Sequence, residues 1–203
     1  MKIFCVGRNY ADHAKELKNE IPTVPVIFMK PDTAILKDNA PFYYPEFSKE
    51  IHYETELVVK IDKEGKFIEE KFAHKYYQEI GLGIDFTARD LQNELKAKGL
   101  PWELAKGFNG SAPISNFIAK SQLQTLQDIQ FSLHINNEEK QIGDTADMIF
   151  TIDYLISFIS KYFTLKKGDL LFTGTPSGVG AVKIGDRLVG KLKNIEMFNF
   201  EVR

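Results

Sequence analysis

Strand-like segments dominate this chain: apolar and polar residues alternate with the period of two that a half-buried strand imposes. Strands are predicted over 3–6, 26–29, 56–61, 79–86, 129–135, 170–173, 187–192 and 195–202. Turn chemistry separates several of them, at Asn136-Asn137, Lys167-Gly168-Asp169, Gly185-Asp186 and Lys193-Asn194. Three stretches carry helical spacing instead. Residues 10–18 follow Asn9, a good N-cap, with Asp12 at the capping-box position. Residues 88–98 place Leu91 and Leu95 four apart and stop at Gly99-Leu100-Pro101. Residues 151–162 set Ile152, Leu155, Ile156 and Ile159 on one face. Many strands, few helices and no strand–helix alternation predict an α+β, mostly β domain.

Composition narrows the class. With 203 residues, 43% hydrophobic and 27% charged, the chain has the make-up of a soluble globular protein. No repeat, low-complexity tract or linker divides it, so residues 1–203 are expected to form a single domain. A formal net charge of −2 offers no basic excess to meet nucleic-acid phosphates or an anionic membrane. One cysteine, Cys5, excludes an internal disulfide and a multi-thiolate zinc site. The opening MKIFCVGRNY is too short an apolar run for a signal peptide, and no 18-residue apolar run follows, so a cytoplasmic protein is expected.

The chemistry begins with IHYETELVVKI, residues 51–61, which carries Glu54 and Glu56 two residues apart. On one strand they share a face, where two carboxylates repel unless water screens them or a cation lies between. A solvated face is the plain reading of an isolated ExE. Asp85 ends the glycine-punctuated strand EIGLGI just before a helix, where an Asp often serves only as a cap and Thr87 offers an alternative. Convergence of the three carboxylates would make an all-oxygen site for Mg²⁺ or Mn²⁺. His13 and Glu16, at i and i+3, are neighbours on a helix and either form a base oriented by a carboxylate or an exposed surface pair. Lys106 precedes two glycines, Gly107 and Gly110, in WELAKGFNGSAPIS, where a ligand can approach closely. The glycine-rich LLFTGTPSGVG is neither a Walker loop nor GxGxxG, yet could present backbone N–H groups to a carboxylate. Arg8, just before the first helix, could pair with a carboxylate or lie on the surface.

Together these segments resemble the fumarylacetoacetate hydrolase superfamily, in its small acylpyruvase and oxaloacetate decarboxylase type. The resemblance rests on CVGRNYADHAKEL, IFMKPDTAI, IHYETELVVKI, GLGIDFTARDLQ, KGLPWELAKGFNGSAPIS, DTADMIF and FTLKKGDLLFTGTPSGVG, in that order across residues 5–180. It implies a mixed β roll with a few short helices, assembled as a homodimer, with residues 1–20 supplying a strand and a lid helix. It implies Glu54, Glu56 and Asp85 as ligands of Mg²⁺ or Mn²⁺, His13 and Glu16 as the catalytic dyad, and Lys106 beside the substrate's oxygens. Arg89, Gln92 and Thr175 occupy positions that contact substrate in relatives, with Lys30 near the same site. The implied activity is metal-dependent hydrolysis or decarboxylation of small β-dicarbonyl acids, with isomerisation or tautomerisation of hydroxymuconate-type or oxaloacetate-like dicarboxylates as the alternative. The longer hydrolases carry a separate N-terminal domain that these segments do not match, which argues against fumarylacetoacetate itself as substrate.

Overall fold

The computed structural model describes residues 1–16, 20–123 and 125–203. Its larger sheet has six strands in the order Val26–Lys30, Ile3–Gly7, Leu170–Phe172, Thr55–Ile61, Tyr77–Ile84 and Ile118–Ala119. Ile3–Gly7 runs parallel to Leu170–Phe172 and the other neighbours are antiparallel, so the sheet is mixed. A second, antiparallel sheet orders Glu138–Asp144, Gln130–Ile135, Arg187–Leu192 and Ile195–Glu201. Ile51–Tyr53 pairs with Gly180–Ala181 and Thr87–Ala88 in a small third sheet.

The central strand explains the architecture. Thr55–Ile61 is buried on both faces, where its sequence pattern predicted one wet face. Leu57, Val59 and Ile61 point into the main core with Leu82 of the same sheet and Phe131, Leu133, Leu188 and Phe200 of the second sheet. Val58, on the other face, joins a second cluster with Ile3, Cys5, Leu170 and Phe172. Full burial of a strand normally demands a continuous apolar run, and LVV supplies it beyond Glu56. Next to it, Gly83 lets the sheet close up: a Cβ there would lie 2.8 Å from the Phe172 ring and 2.9 Å from the Pro113 carbonyl oxygen.

The helices Ala11–Glu16, Arg89–Ala97 and Ile152–Tyr162 fall where the spacing predicts them, with residues 17 and 18 of the first expectation outside the described residues. One expected cap is corrected, and the alternative of a cap at Asp85 or Thr87 falls away. Asn9 does not cap the first helix: its amide donates to the Phe150 and Thr173 carbonyls (3.0 and 2.8 Å) and accepts from Phe150 N (2.8 Å), stitching the N-terminal segment to distant loops. Neither Asp85 nor Thr87 caps the second, whose N-cap is Ala88 without a side-chain bond. Thr151 does cap the third, accepting from Tyr154 N at 3.2 Å. Glu138–Asp144 escaped the sequence pattern because it is an edge strand with one aliphatic residue, Ile142, and that residue faces water.

Candidate active site

The site forms where the strand IHYETELVVKI breaks. Residues 51–53 belong to the small sheet and residues 55–61 to the large one, with Glu54 at the crossover. Glu54 and Glu56 are therefore not i and i+2 of one regular strand. The break nevertheless brings both to the same place: Glu54, Glu56 and Asp85 are buried, and one oxygen of each lies within 4.8 Å of the other two. Asp85 follows Tyr77–Ile84, the strand paired to Thr55–Ile61, and its backbone N–H donates to the Glu54 carbonyl at 2.8 Å. The antiparallel register thus fixes the third carboxylate beside the first two.

Three cations offset the three carboxylates. Lys106 Nζ donates to Glu54 Oε2 (2.9 Å), Asp85 Oδ2 (2.6 Å) and Thr87 Oγ1 (2.6 Å). Arg89 bonds Glu54 Oε1 through one arm, Gln92 Oε1 at 2.6 Å through another, and His52 Nδ1 at 3.3 Å through Nε. Lys30 is fully buried, with Nζ 2.7 Å from Asp85 Oδ1. Its protons, however, are aimed at the carbonyls of Phe86 (3.1 Å), Lys106 and Ser111 (3.0 Å) and at Ser111 Oγ (3.0 Å). Asp85 Oδ1 consequently accepts no aligned hydrogen bond despite complete burial.

Unequal sharing of these cations splits the carboxylates. Burial alone would raise Glu54, but Lys106 and Arg89 hold it well below the usual carboxylate range. Glu56 goes the other way: burial and the negative charges of Asp85 and Glu54 push it well above that range, against the N–H that Gly174 donates to its Oε2 at 2.6 Å. Burial pulls the Lys106 ammonium down, and Asp85 and Glu54 more than reverse this, so it stays charged.

A hard divalent cation fits what is present. The donor set is all oxygen, and burial together with the negative charges of Asp85 and Glu54 disfavours the charge of Glu56, which a cation among the three would favour. Glu54, Glu56 and Asp85 are the residues that could hold it.

His13, Arg8, Arg89, Gln92, Lys106 and Thr175 line the narrow cleft above them. Lys30 does not; it supports Asp85 from the protein side. His13 is buried and its Nδ1 lies 3.1 Å from Glu16 Oε2. A carboxylate only accepts, so Nδ1 carries the proton and Nε2 the basic lone pair. Glu16 is held in turn by the Gly178 N–H at 3.0 Å on its other oxygen. The TGTPSG loop does present backbone N–H groups to carboxylates, and both are the protein's own, Glu56 and Glu16. Gly174 makes the first possible with φ +98, where an added Cβ would lie 2.7 Å from Asn9 Cβ. Thr175 Oγ1 donates to the Thr55 carbonyl at 2.9 Å and accepts from Gln141 Nε2 at 2.9 Å.

A model described as "Fumarylacetoacetate (FAA) hydrolase C-terminal" matches residues 2–203. The chain belongs to the fumarylacetoacetate hydrolase family. Within this family it is 43% identical over 200 residues to the mitochondrial oxaloacetate tautomerase FAHD1 of Rattus norvegicus, covering 98% of this chain and 90% of that one. It is 46% identical over 185 residues to the mitochondrial oxaloacetate decarboxylase of Dictyostelium discoideum, covering 91% and 85%. Among solved structures, the fumarylpyruvate hydrolase of Pseudomonas aeruginosa in complex with Mn²⁺ and pyruvate superposes with a TM-score of 0.94 at 36% identity, covering 100% of this chain and 89% of that one. The mostly β, mixed-sheet architecture expected from the sequence is thus the fold of this fumarylacetoacetate hydrolase family chain. No helix among its described residues is long and apolar enough to cross a membrane.

Sequence reasoning missed two contributors. Gln141, buried on the edge strand, accepts from Thr55 N (3.0 Å) and donates to Thr175 Oγ1 and the Pro176 carbonyl (3.0 Å), so it locks the loop to the ligand-bearing strand. Lys96 lines the cleft as well. Its signal was available: Arg89, Gln92 and Lys96 stand at i, i+3 and i+7 of one helix, hence on one face.

Proposed function

We propose that this chain is a divalent-metal-dependent enzyme acting on small β-dicarbonyl acids, hydrolysing acylpyruvates, decarboxylating oxaloacetate, or both. The observation that carries the reading is one cleft lined by His13, Glu54 and Glu56, with Glu16 bonded to His13 and an Asp85 oxygen within 4.8 Å of those of the two glutamates. The relatives' names, a tautomerase, a decarboxylase and a hydrolase, support it because the three reactions share one difficulty. Each builds negative charge on the keto oxygen as an enolate forms.

Glu54, Glu56 and Asp85 hold Mg²⁺ or Mn²⁺ in this reading. When bound, the ion supplies Lewis-acid polarisation of the substrate's keto and carboxylate oxygens. Lys106 adds a fixed positive charge beside the same oxygens, and burial makes it act at low dielectric. Arg89, held by Gln92 and His52, orients the substrate's carboxylate, and Thr175 closes the cleft wall. In hydrolysis, His13 Nε2 takes a proton from water as its oxygen attacks the distal carbonyl. The carbon–carbon bond then breaks and its electron pair passes to the departing pyruvate enolate, which is protonated on carbon. Glu16 stabilises the imidazolium through Nδ1. Decarboxylation needs no attacking water, so it depends less on His13. Tautomerisation needs only proton transfer between carbon and oxygen, which His13 can mediate; the name of the rat relative favours this second reading.

The test is turnover of chelator-stripped protein on oxaloacetate and acetylpyruvate, with and without Mg²⁺ or Mn²⁺, following enol absorbance and pyruvate together. Metal-dependent pyruvate formation is expected. Absorbance change without pyruvate would replace the reading with the tautomerase. No change on either acid would overturn it.

A further inference from the structure

Three cations around the site are committed: Lys30 to Asp85, Lys106 to Glu54 and Asp85, and Arg89 to Glu54. Lys96 is not. It lines the cleft, and among the described residues its side chain makes no salt bridge and no hydrogen bond. Arg8 lines the same cleft and is likewise unpaired. Both are half-buried, while Lys106 and Arg89 are buried, so Lys96 and Arg8 lie toward the mouth.

The surroundings change what kind of nitrogen Lys96 carries. It shares a face of the helix Arg89–Ala97 with Arg89 and Gln92, which turns it toward the cleft, and its Nζ lies 5.3 Å from the centre of the Trp102 ring. Burial and the positive charges of Arg89, Arg8 and Lys106 push its ammonium down to about 8, against the pull of Glu54. That is the ordinary range of an α-amino group, about 7.7–8.0, in which much of the amine is neutral and nucleophilic close to neutral pH. An exposed lysine, near about 10.4, keeps almost none in that form. The cations that disfavour an ammonium here also favour an anion in its place. Lys96 therefore joins a reactive nitrogen to a setting that welcomes negative charge.

We propose that Lys96 is a site of reversible carbamylation by CO₂, and that Arg8 holds the carbamate. The lone pair of the neutral amine attacks the carbon of CO₂. An N–C bond forms while one C–O π bond gives its electrons to oxygen, and the nitrogen releases a proton to water. The product is Lys–NH–COO⁻, with nothing oxidised or reduced. The guanidinium fork of Arg8 matches the two carbamate oxygens. The modification puts an anion where the mouth had a cation, so it opposes the entry of anionic keto acids. Carbamylation itself does not depend on the keto-acid reading. Its consequence rests on that reading: decarboxylation releases CO₂ beside Lys96, and the product restrains the enzyme.

Carbon-13 NMR of the whole chain with Mg²⁺ under labelled CO₂, at fixed pH and ionic strength, detects carbamates without any turnover. The α-amino group forms one as well and serves as the internal reference. A second carbamate signal is expected in the wild type and is absent in Lys96→Arg, whose guanidinium does not react. In Arg8→Asn the signal needs about ten-fold more CO₂, and Asn tolerates the left-handed backbone that Arg8 adopts at φ 63. Trapping the carbamate as its ethyl ester, followed by peptide mass spectrometry, places it on Lys96. No second signal, or one that survives in Lys96→Arg, would overturn the site. The consequence is read separately, from KM for acetylpyruvate, whose hydrolysis releases no CO₂. Added CO₂ raises KM in the wild type and leaves Lys96→Arg unchanged. A flat KM beside a proven Lys96 carbamate would overturn the restraint and keep the site. Failure to turn over either acetylpyruvate or oxaloacetate would overturn the keto-acid reading, and NMR would still decide the carbamate.

Discussion

Replacing Lys30 by methionine probes how the trio is held. Methionine keeps the length of the side chain and removes its charge and donors. Five acceptors lose a partner, the Ser111 hydroxyl among them, but not equally. The Lys106 carbonyl keeps the Ser111 hydroxyl at 2.8 Å, and the Ser111 carbonyl keeps Phe86 N at 2.9 Å. The Phe86 carbonyl keeps no other donor among the described residues, and Asp85 retains only Lys106. An orphaned buried carbonyl costs about 1–3 kcal/mol. Removing one partner of a buried ion pair costs about 3–5 kcal/mol, and the surviving Lys106 contact sets this at the lower end. The total is about 4 kcal/mol, a large part of the roughly 5–15 kcal/mol that stabilises a typical domain. For a chain of this size it lowers Tm by about 8–16 °C. Urea unfolding of wild type and Lys30→Met, followed by Trp102 fluorescence, gives the difference directly. A loss below about 1 kcal/mol would show that Asp85 does not need this cation, and that the charge balance derived for the site is wrong.

Other consequences are open to simple assays. His13→Ala lowers acylpyruvate hydrolysis by about 10²–10⁴-fold and oxaloacetate decarboxylation much less, while Mn²⁺ still raises Tm; loss of the Mn²⁺ effect would make His13 structural. Gly174→Ala destabilises the protein, because Cβ meets Asn9 Cβ at 2.7 Å in a left-handed backbone, and it weakens Mn²⁺ binding by displacing the N–H on Glu56; wild-type Tm with wild-type Mn²⁺ affinity would contradict this. Lys96 gives a pH dependence. Its folded value near 8 lies below that of an unfolded lysine, so the folded chain binds fewer protons from there up to the ordinary lysine range. Stability contributed through Lys96 therefore rises with pH across that window.

Much of the fold was written in local patterns. The hairpin turn Asn136-Asn137 takes φ 51 and 69 as its residue types demand, and Gly99, with φ 65, ends its helix. Where the sequence misled, tertiary structure had overruled a local rule. Asn9 reads as a cap because nothing local announces that Phe150 and Thr173 will compete for its amide. The IHYETELVVKI segment reads as one strand because a crossover between sheets leaves no mark in hydrophobic alternation. The edge strand Glu138–Asp144 has too little apolar content to announce itself. In the site, residue types were legible and partnerships were not. Lys30 is the right kind of residue near the right place, yet which face of Asp85 it touches depends on sheet register. Gln141 and Lys96 work through long-range contacts, although Lys96 shared a helix face with two residues already singled out.

The central prediction is that the buried carboxylates hold a divalent ion that turnover requires. Calorimetric titration of Mn²⁺ into chelator-stripped wild type and Glu56→Gln, with pyruvate formation from oxaloacetate measured on the same samples, tests it most directly. One Mn²⁺ per chain in the wild type, no measurable binding in Glu56→Gln, and activity that follows occupancy are predicted. Full turnover in the stripped wild type, or unchanged Mn²⁺ affinity in the variant, would contradict it.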